Sequence, residues 1–104
     1  MAGSERGIYF VDRELRFVTV NPVALRRWGK SAREVLNHTV AEVFPNALGG
    51  EVHLAMVNAL RTFQPARFKS RSLVVDGDVE VEIYPVNNGL QVVLSYPDGE
   101  RRSW

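Results

Sequence analysis

GIYFVDRELRFVTVNPVALRRWG, residues Gly7 to Gly29, decides the fold. Two short apolar runs, Ile8–Asp12 and Arg16–Val20, read as strands joined by the charged pair Arg13-Glu14. In the second run Val18 and Val20 share one face, and Phe17 and Thr19 the other. That run leads straight into Asn21-Pro22. An asparagine oxygen accepts an unpaired N–H of a first helical turn, and a proline at the first helical position needs no donor. Ala24, Leu25 and Trp28 then recur at helical spacing over about three turns. Gly29 can take the left-handed conformation that ends the helix.

Outward from this stretch, the middle of the chain is helical but broken. Ser31 with Glu34, and Thr39 with Glu42, form two capping-box patterns, and Pro45 stops the second short helix. Gly49-Gly50 opens the longest helix, about Glu51 to Phe63. Val52, Ala55, Met56, Ala59, Leu60 and Phe63 fall in one apolar stripe, while Asn58 and Arg61 face away. Gln64-Pro65 ends it.

The last third reads as a three-stranded meander. A two-residue turn at Asp76-Gly77 pairs Val74 with Val79, Ser72 with Val81, Ser70 with Ile83 and Phe68 with Pro85. On the opposite face it sets Arg71 against Glu82 and Lys69 against Tyr84. A second turn at Asn88-Gly89 pairs Asn87 with Leu90, Pro85 with Val92 and Ile83 with Leu94. Both turns put Val79, Val81, Ile83, Val92 and Leu94 on one face. The order of elements predicts an α+β fold, with five antiparallel strands in one sheet and helices on one face.

At 104 residues the chain is expected to be one domain, 1–104, with a core of about 7–96 and a polar tail, 97–104. Thirteen basic and twelve acidic side chains leave a net charge of +1, which gives no field to gather nucleic acid. There is no cysteine, so disulfides, thiolate metal sites and thiol nucleophiles are excluded. No apolar run reaches the roughly 20 residues of a membrane span, and the first residues lack an export signal. A cytoplasmic location is the expectation.

The order of strands, Asn-capped helix and glycine resembles the opening of the PAS family of sensor domains. Asn21-Pro22-x-Ala24 with Gly29 is similar to that family's N-x-A…G helix, and Glu42-Val43-Phe44-Pro45 to its E-[LIV]-[LF]-P turn. Val79 to Pro85, followed by Gly89-Leu90, resembles the W-x-E-x-x-x-x-P…G-[LV] meander of its sensor subgroup. The resemblance covers about Gly7 to Ser95 and implies the sheet order 2-1-5-4-3. Ser95-Tyr96-Pro97-Asp98 stands where many members have the Asp-Ile-Thr that couples to an output helix. The photoreceptor branches need a cysteine for a flavin adduct or a coumarate, so the absence of cysteine excludes both.

Haem-binding members take an axial histidine from the long helix, which makes His53 a weak haem-ligand candidate. At the edge of the apolar stripe and in the first turn, it is expected to be a partly exposed residue instead, with haem and metal absent. His38 has no partner at metal-ligand spacing. Asp12 is expected to accept local backbone N–H groups as a turn-former, and Glu80 and Glu82 to face water. No residue makes a case for catalysis.

A small-molecule pocket is expected between sheet and helices, lined by Val20, Trp28, Phe44, Met56, Leu60, Ser70, Ser72, Ile83 and Val92, with the two serines as polar handles. The alternative is that these side chains only fill the core. Ile8, Phe10, Phe17, Tyr84 and Val93 are expected on the outer face, as a surface for a homodimer or an adjacent effector such as a histidine kinase or diguanylate cyclase. The resemblance thus implies a sensory module of a signal-transduction protein. A ligand-free dimerisation domain is the second reading and a small α+β enzyme the third.

Overall fold

The computed structural model describes residues 5–71 and 78–96. Strands β1 (Glu5–Asp12) and β2 (Phe17–Val20) are followed by helices α1 (Pro22–Trp28), α2 (Ala32–Val35) and α3 (Val40–Val43). A 3-10 turn at Pro45–Ala47 leads to α4 (Glu51–Thr62), and β3 (Ala66–Arg71), β4 (Asp78–Val86) and β5 (Gly89–Tyr96) complete the chain's described elements. The five strands form one antiparallel sheet in the order β2-β1-β5-β4-β3. The helices pack on one face, so the expected class and strand order both hold.

Local chemistry sets the helix ends. The Asn21 side-chain oxygen accepts the Ala24 N–H at 3.0 Å, and Gly29 ends α1 with φ 67°. At seven residues α1 is shorter than the three turns expected. Ser31 with Glu34, and Thr39 with Glu42, each exchange both bonds of a capping box. The backbone N–H groups of Ser31 and Thr39 hold the two carboxyls below the usual glutamate range. In α4, Met56 and Ala59 are buried, with Val52, Ala55 and Leu60 packed against the core. Phe63 departs from the expected stripe and is 59% exposed. It is the helix's C-terminal cap, at φ 58°, and a left-handed residue leaves the helical period that would have carried its ring inward.

Both meander registers differ from expectation, and both by an even number of residues. Lys69 pairs with Glu80 rather than Tyr84, and Phe68 with Val81 rather than Pro85. The reason is local to Pro85. It lies beyond the end of β3's pairing, so its missing N–H costs that ladder nothing. Arg71 stands opposite Asp78 instead of Glu82, and the described ion pair of this hairpin is Arg67 with Glu80 at 3.3 Å. Asp76-Gly77, Val74 and Ser72 lie outside the described residues.

In the β4–β5 hairpin Val86 pairs with Gly89, so Asn87-Asn88 make the turn and Ile83 faces Val92 rather than Leu94. Gly89 is needed elsewhere, opposite Asp12 of β1. A Cβ there would lie 1.9 Å from the Val11 carbonyl oxygen and 2.8 Å from the Asp12 Cα. Even shifts keep faces. Val79, Val81, Ile83, Val92 and Leu94 are accordingly all buried.

Phe17 is the largest correction. Expected on the outer face, it is 1% exposed and in the core. Tyr9 pairs with Val20 and Phe10 with Thr19, but Val11 then pairs with Phe17, skipping Val18. This bulge inserts one residue into β2 and reverses the alternation on its far side. Phe17 therefore joins Val20 on the inner face, and Val18 is left exposed.

Two predictions follow from these joints. Gly89→Ala drives a methyl into backbone that cannot swing away and should cost about 3 kcal/mol. Gly29→Ala meets no atom within 4 Å and carries only left-handed strain, about 1 kcal/mol. Urea denaturation of the two variants should rank them in that order, and equal costs would refute the assigned close approach. Asn21→Ala should lower stability by about 2 kcal/mol. Asn21→Asp, which keeps an accepting oxygen, should lose clearly less in the same assay.

Candidate functional site

The interior has an aromatic end. Tyr9 from β1, Phe17 from β2, Trp28 from α1 and Phe44 after α3 meet edge to face. Ring centroids are 5.2 Å apart for Tyr9 and Phe17, 5.6 Å for Tyr9 and Trp28, and 5.0 Å for Trp28 and Phe44. Such pairs add about 0.5–1.5 kcal/mol each beyond their buried area. Tyr9 and Phe17 are fully enclosed, whereas Trp28 and Phe44 are half-buried at the rim. Two cations cap rims of the interior: Lys30 Nζ lies 5.7 Å from the Phe44 ring centre, and the Arg27 guanidinium 4.8 Å from that of Tyr96.

Backbone devices put these rings together. Asn21 Oδ1 accepts the N–H of Ile8 as well as that of Ala24, and Nδ2 donates to the Arg6 carbonyl. The start of α1 is thereby fastened to β1. A Cβ on Gly7 would sit 3.1 Å from Ala24 Cβ, so the glycine lets the helix lie close on the strand. Asp12 Oδ1 accepts the N–H groups of Glu14 and Arg16, both at 2.9 Å, which is the turn-forming role expected of it.

Tyr9 is the residue that sequence reasoning missed. Its hydroxyl donates to the Met56 sulfur at 3.8 Å, joining β1 to α4. Burial, with Tyr96 nearby, pushes its phenol well above the usual tyrosine range, so the group stays a neutral donor. Burial also raises the Tyr96 phenol, against a lowering hydrogen bond from Trp28 and the nearby Arg27. The signal was available in the sequence: Gly7, Tyr9 and Val11 alternate in step with the apolar face of β5.

The expected lining residues divide into two groups. Val20, Ile83 and Val92 lie in one row across the sheet, running Ala66, Ile83, Val92, Tyr9 and Val20. Trp28, Phe44 and Met56 close over the Tyr9 end of it. Leu60 packs against the core. Ser70 is not brought to the aromatic end. It sits opposite Val79 on β3, three strands from β1, which is about 14 Å at ordinary strand spacing. The buried hydroxyl at the aromatic end is that of Tyr9.

On the outer face, Ile8, Val93 and Glu82 form one row, and Phe10, Gln91 and Tyr84 the next. Tyr84 is 43% exposed and donates to Glu82, and Ile8 and Phe10 are half-buried. Val93 lies on the outer face as expected, but it is buried rather than open to solvent. His53 accepts the Gly49 N–H through Nδ1 at 3.1 Å, a local bond at the start of α4. Among the described residues no three His, Asp or Glu side chains gather to hold a metal ion, and no helix is long and apolar enough to cross a membrane.

This architecture is shared with sensor domains of known structure. The PAS domain of the histidine kinase ThkA superposes with a TM-score of 0.76 at 13% identity, over 88% of this chain and 100% of that one. The photoactive yellow protein domain of the sensor histidine kinase Ppr from Rhodospirillum centenum gives 0.70 at 17% identity, over 86% and 82%. The PAS domain of the Cronobacter turicensis quorum-sensing receptor RpfR, in complex with C12:0, gives 0.66 at 14% identity, over 94% and 96%. No curated protein sequence matches the chain. A family profile described as the PAS fold matches residues 2–89, and with the sheet order, the Asn-capped helix and the broken helical segment it shows that the chain belongs to the PAS fold family.

Proposed function

We propose that this PAS domain is the sensing module of a signal-transduction protein, and that its signal is a small apolar molecule taken into the aromatic end of the interior. The observation that carries the reading is the Tyr9–Phe17–Trp28–Phe44 cluster, enclosed at the sheet and half-exposed at α1 and α3. Apolar walls with one placed polar group are the usual make-up of small-ligand sites. The ligand-bound RpfR domain has the same fold and supports the same choice. Binding would act by population shift, favouring one arrangement of sheet and helices. A cytoplasmic location and a connected output such as a histidine kinase or diguanylate cyclase belong to this proposal.

A second reading concerns the outer sheet face, where Ile8, Phe10 and Tyr84 leave apolar surface uncovered by any described element. A second copy or an adjacent segment would dock there, with or without an interior ligand.

Native mass spectrometry of mildly purified protein should find an added mass that Trp28→Ala loses. A bare chain mass, with no change in amide spectra on adding apolar metabolite extracts, would refute the sensing proposal. For the outer face, light scattering should report a dimer that Phe10→Glu converts to monomer. A wild-type monomer at high concentration would refute docking of a second copy.

A further inference from the structure

We propose that the Tyr9 hydroxyl is the donor that recognises a neutral carbonyl oxygen on a small, flat, apolar ligand, and that Met56 is a plug which this ligand displaces. The inference rests on the interior sensing site proposed above and names the chemistry that site would select.

Tyr9 is 5% exposed, and its described hydrogen bond goes to a thioether sulfur. Sulfur of that kind is a weak acceptor, whereas a buried hydroxyl ordinarily finds a full-strength one. The donor is thus enclosed and under-used. A carbonyl oxygen in the sulfur's place would make the stronger bond, and the gain is largest where water is excluded.

The surroundings specify the rest of the ligand. Phe17 and Trp28 present rings at 5.2 and 5.6 Å from the Tyr9 ring, which suits a flat apolar body. No charged side chain is buried among the described residues, and the two rim cations lie over Phe44 and Tyr96 rather than beside the Tyr9 hydroxyl, so a carboxylate at that hydroxyl would lose its hydration without an adjacent counter-ion. The acceptor is therefore neutral. Met56 suits a displaceable role because its side chain is unbranched and has three rotatable bonds. It also projects from α4, which contacts β3, β4 and β5, so its movement is felt across the sheet.

Acetophenone and ethylbenzene test this directly, since they share a shape and differ in the carbonyl oxygen. Titration followed by amide NMR should show wild type binding acetophenone about tenfold more tightly. Tyr9→Phe should remove that preference and leave ethylbenzene affinity within about twofold. Met56→Ala should tighten both probes. Met56→Leu keeps the volume and a foldable core and deprives Tyr9 of its sulfur partner; because both probes displace residue 56, it should bind both probes and leave the acetophenone preference within about twofold of wild type. Equal affinities in wild type, or a preference that survives Tyr9→Phe, would overturn the donor role alone and leave the interior site standing. Failure of both probes to bind wild type and Met56→Leu would overturn this inference together with the sensing proposal beneath it.

Discussion

The Asn21 side chain is the joint on which the rest of the structure depends. One carboxamide caps α1 through Ala24, accepts from Ile8 and donates to the Arg6 carbonyl, while the backbone N–H of Asn21 donates to the Ile8 carbonyl at 2.9 Å. These are bonds between a helix start and the strand it must lie on. Helix capping and tertiary docking are thus one event. Without them, a seven-residue helix would be too short to form alone.

Two glycines make the docking close enough to matter. Gly7 lets Ala24 settle on β1, which brings Trp28, one turn further on, over Tyr9 and Phe17. Gly89 lets β5 pass against the Val11 and Asp12 backbone, closing the sheet between its first hairpin and its meander. The first glycine sets the position of the aromatic end, and the second sets the row of Ile83, Val92 and Tyr9 beneath it. Neither requires positive φ. Both are small because something else occupies the space a side chain would take.

Much of this was legible because the relevant chemistry is local. Asn21-Pro22, Gly29, the two capping boxes and the Asp12 turn act within a few residues, and each stands where its residue types put it. Faces in the meander were legible because they depend on parity, and registers were not, because parity is blind to shifts of two or four. The features that go with the registers lie outside the turns themselves: Gly89 meets β1, and Pro85, which has no N–H to give β3, falls beyond the end of that strand's pairing. Phe17 departs from plain alternation for a related reason. A bulge is set by how two strands meet, and FVTV alone carries no sign of the skipped Val18. Ser70 shares the inner face yet stands on β3, away from the aromatic end, because sharing a face says nothing about which strand of a sheet lies near which helix.

Alternation along β1 bears on how such a module would signal. Ile8 and Phe10 point to the outer face, and Tyr9 between them points inward to Met56, Phe17 and Trp28. A change at the Tyr9 hydroxyl cannot be absorbed by soft neighbours on one side, because the adjacent residue is held to Asn21. On the proposed reading, ligand entry would move the strand as a unit with its flanking outer residues, and the interior would be coupled to the docking face through a single layer of backbone. Packed interiors have discrete arrangements rather than continuous ones, so a coupling this short can act as a switch between two of them.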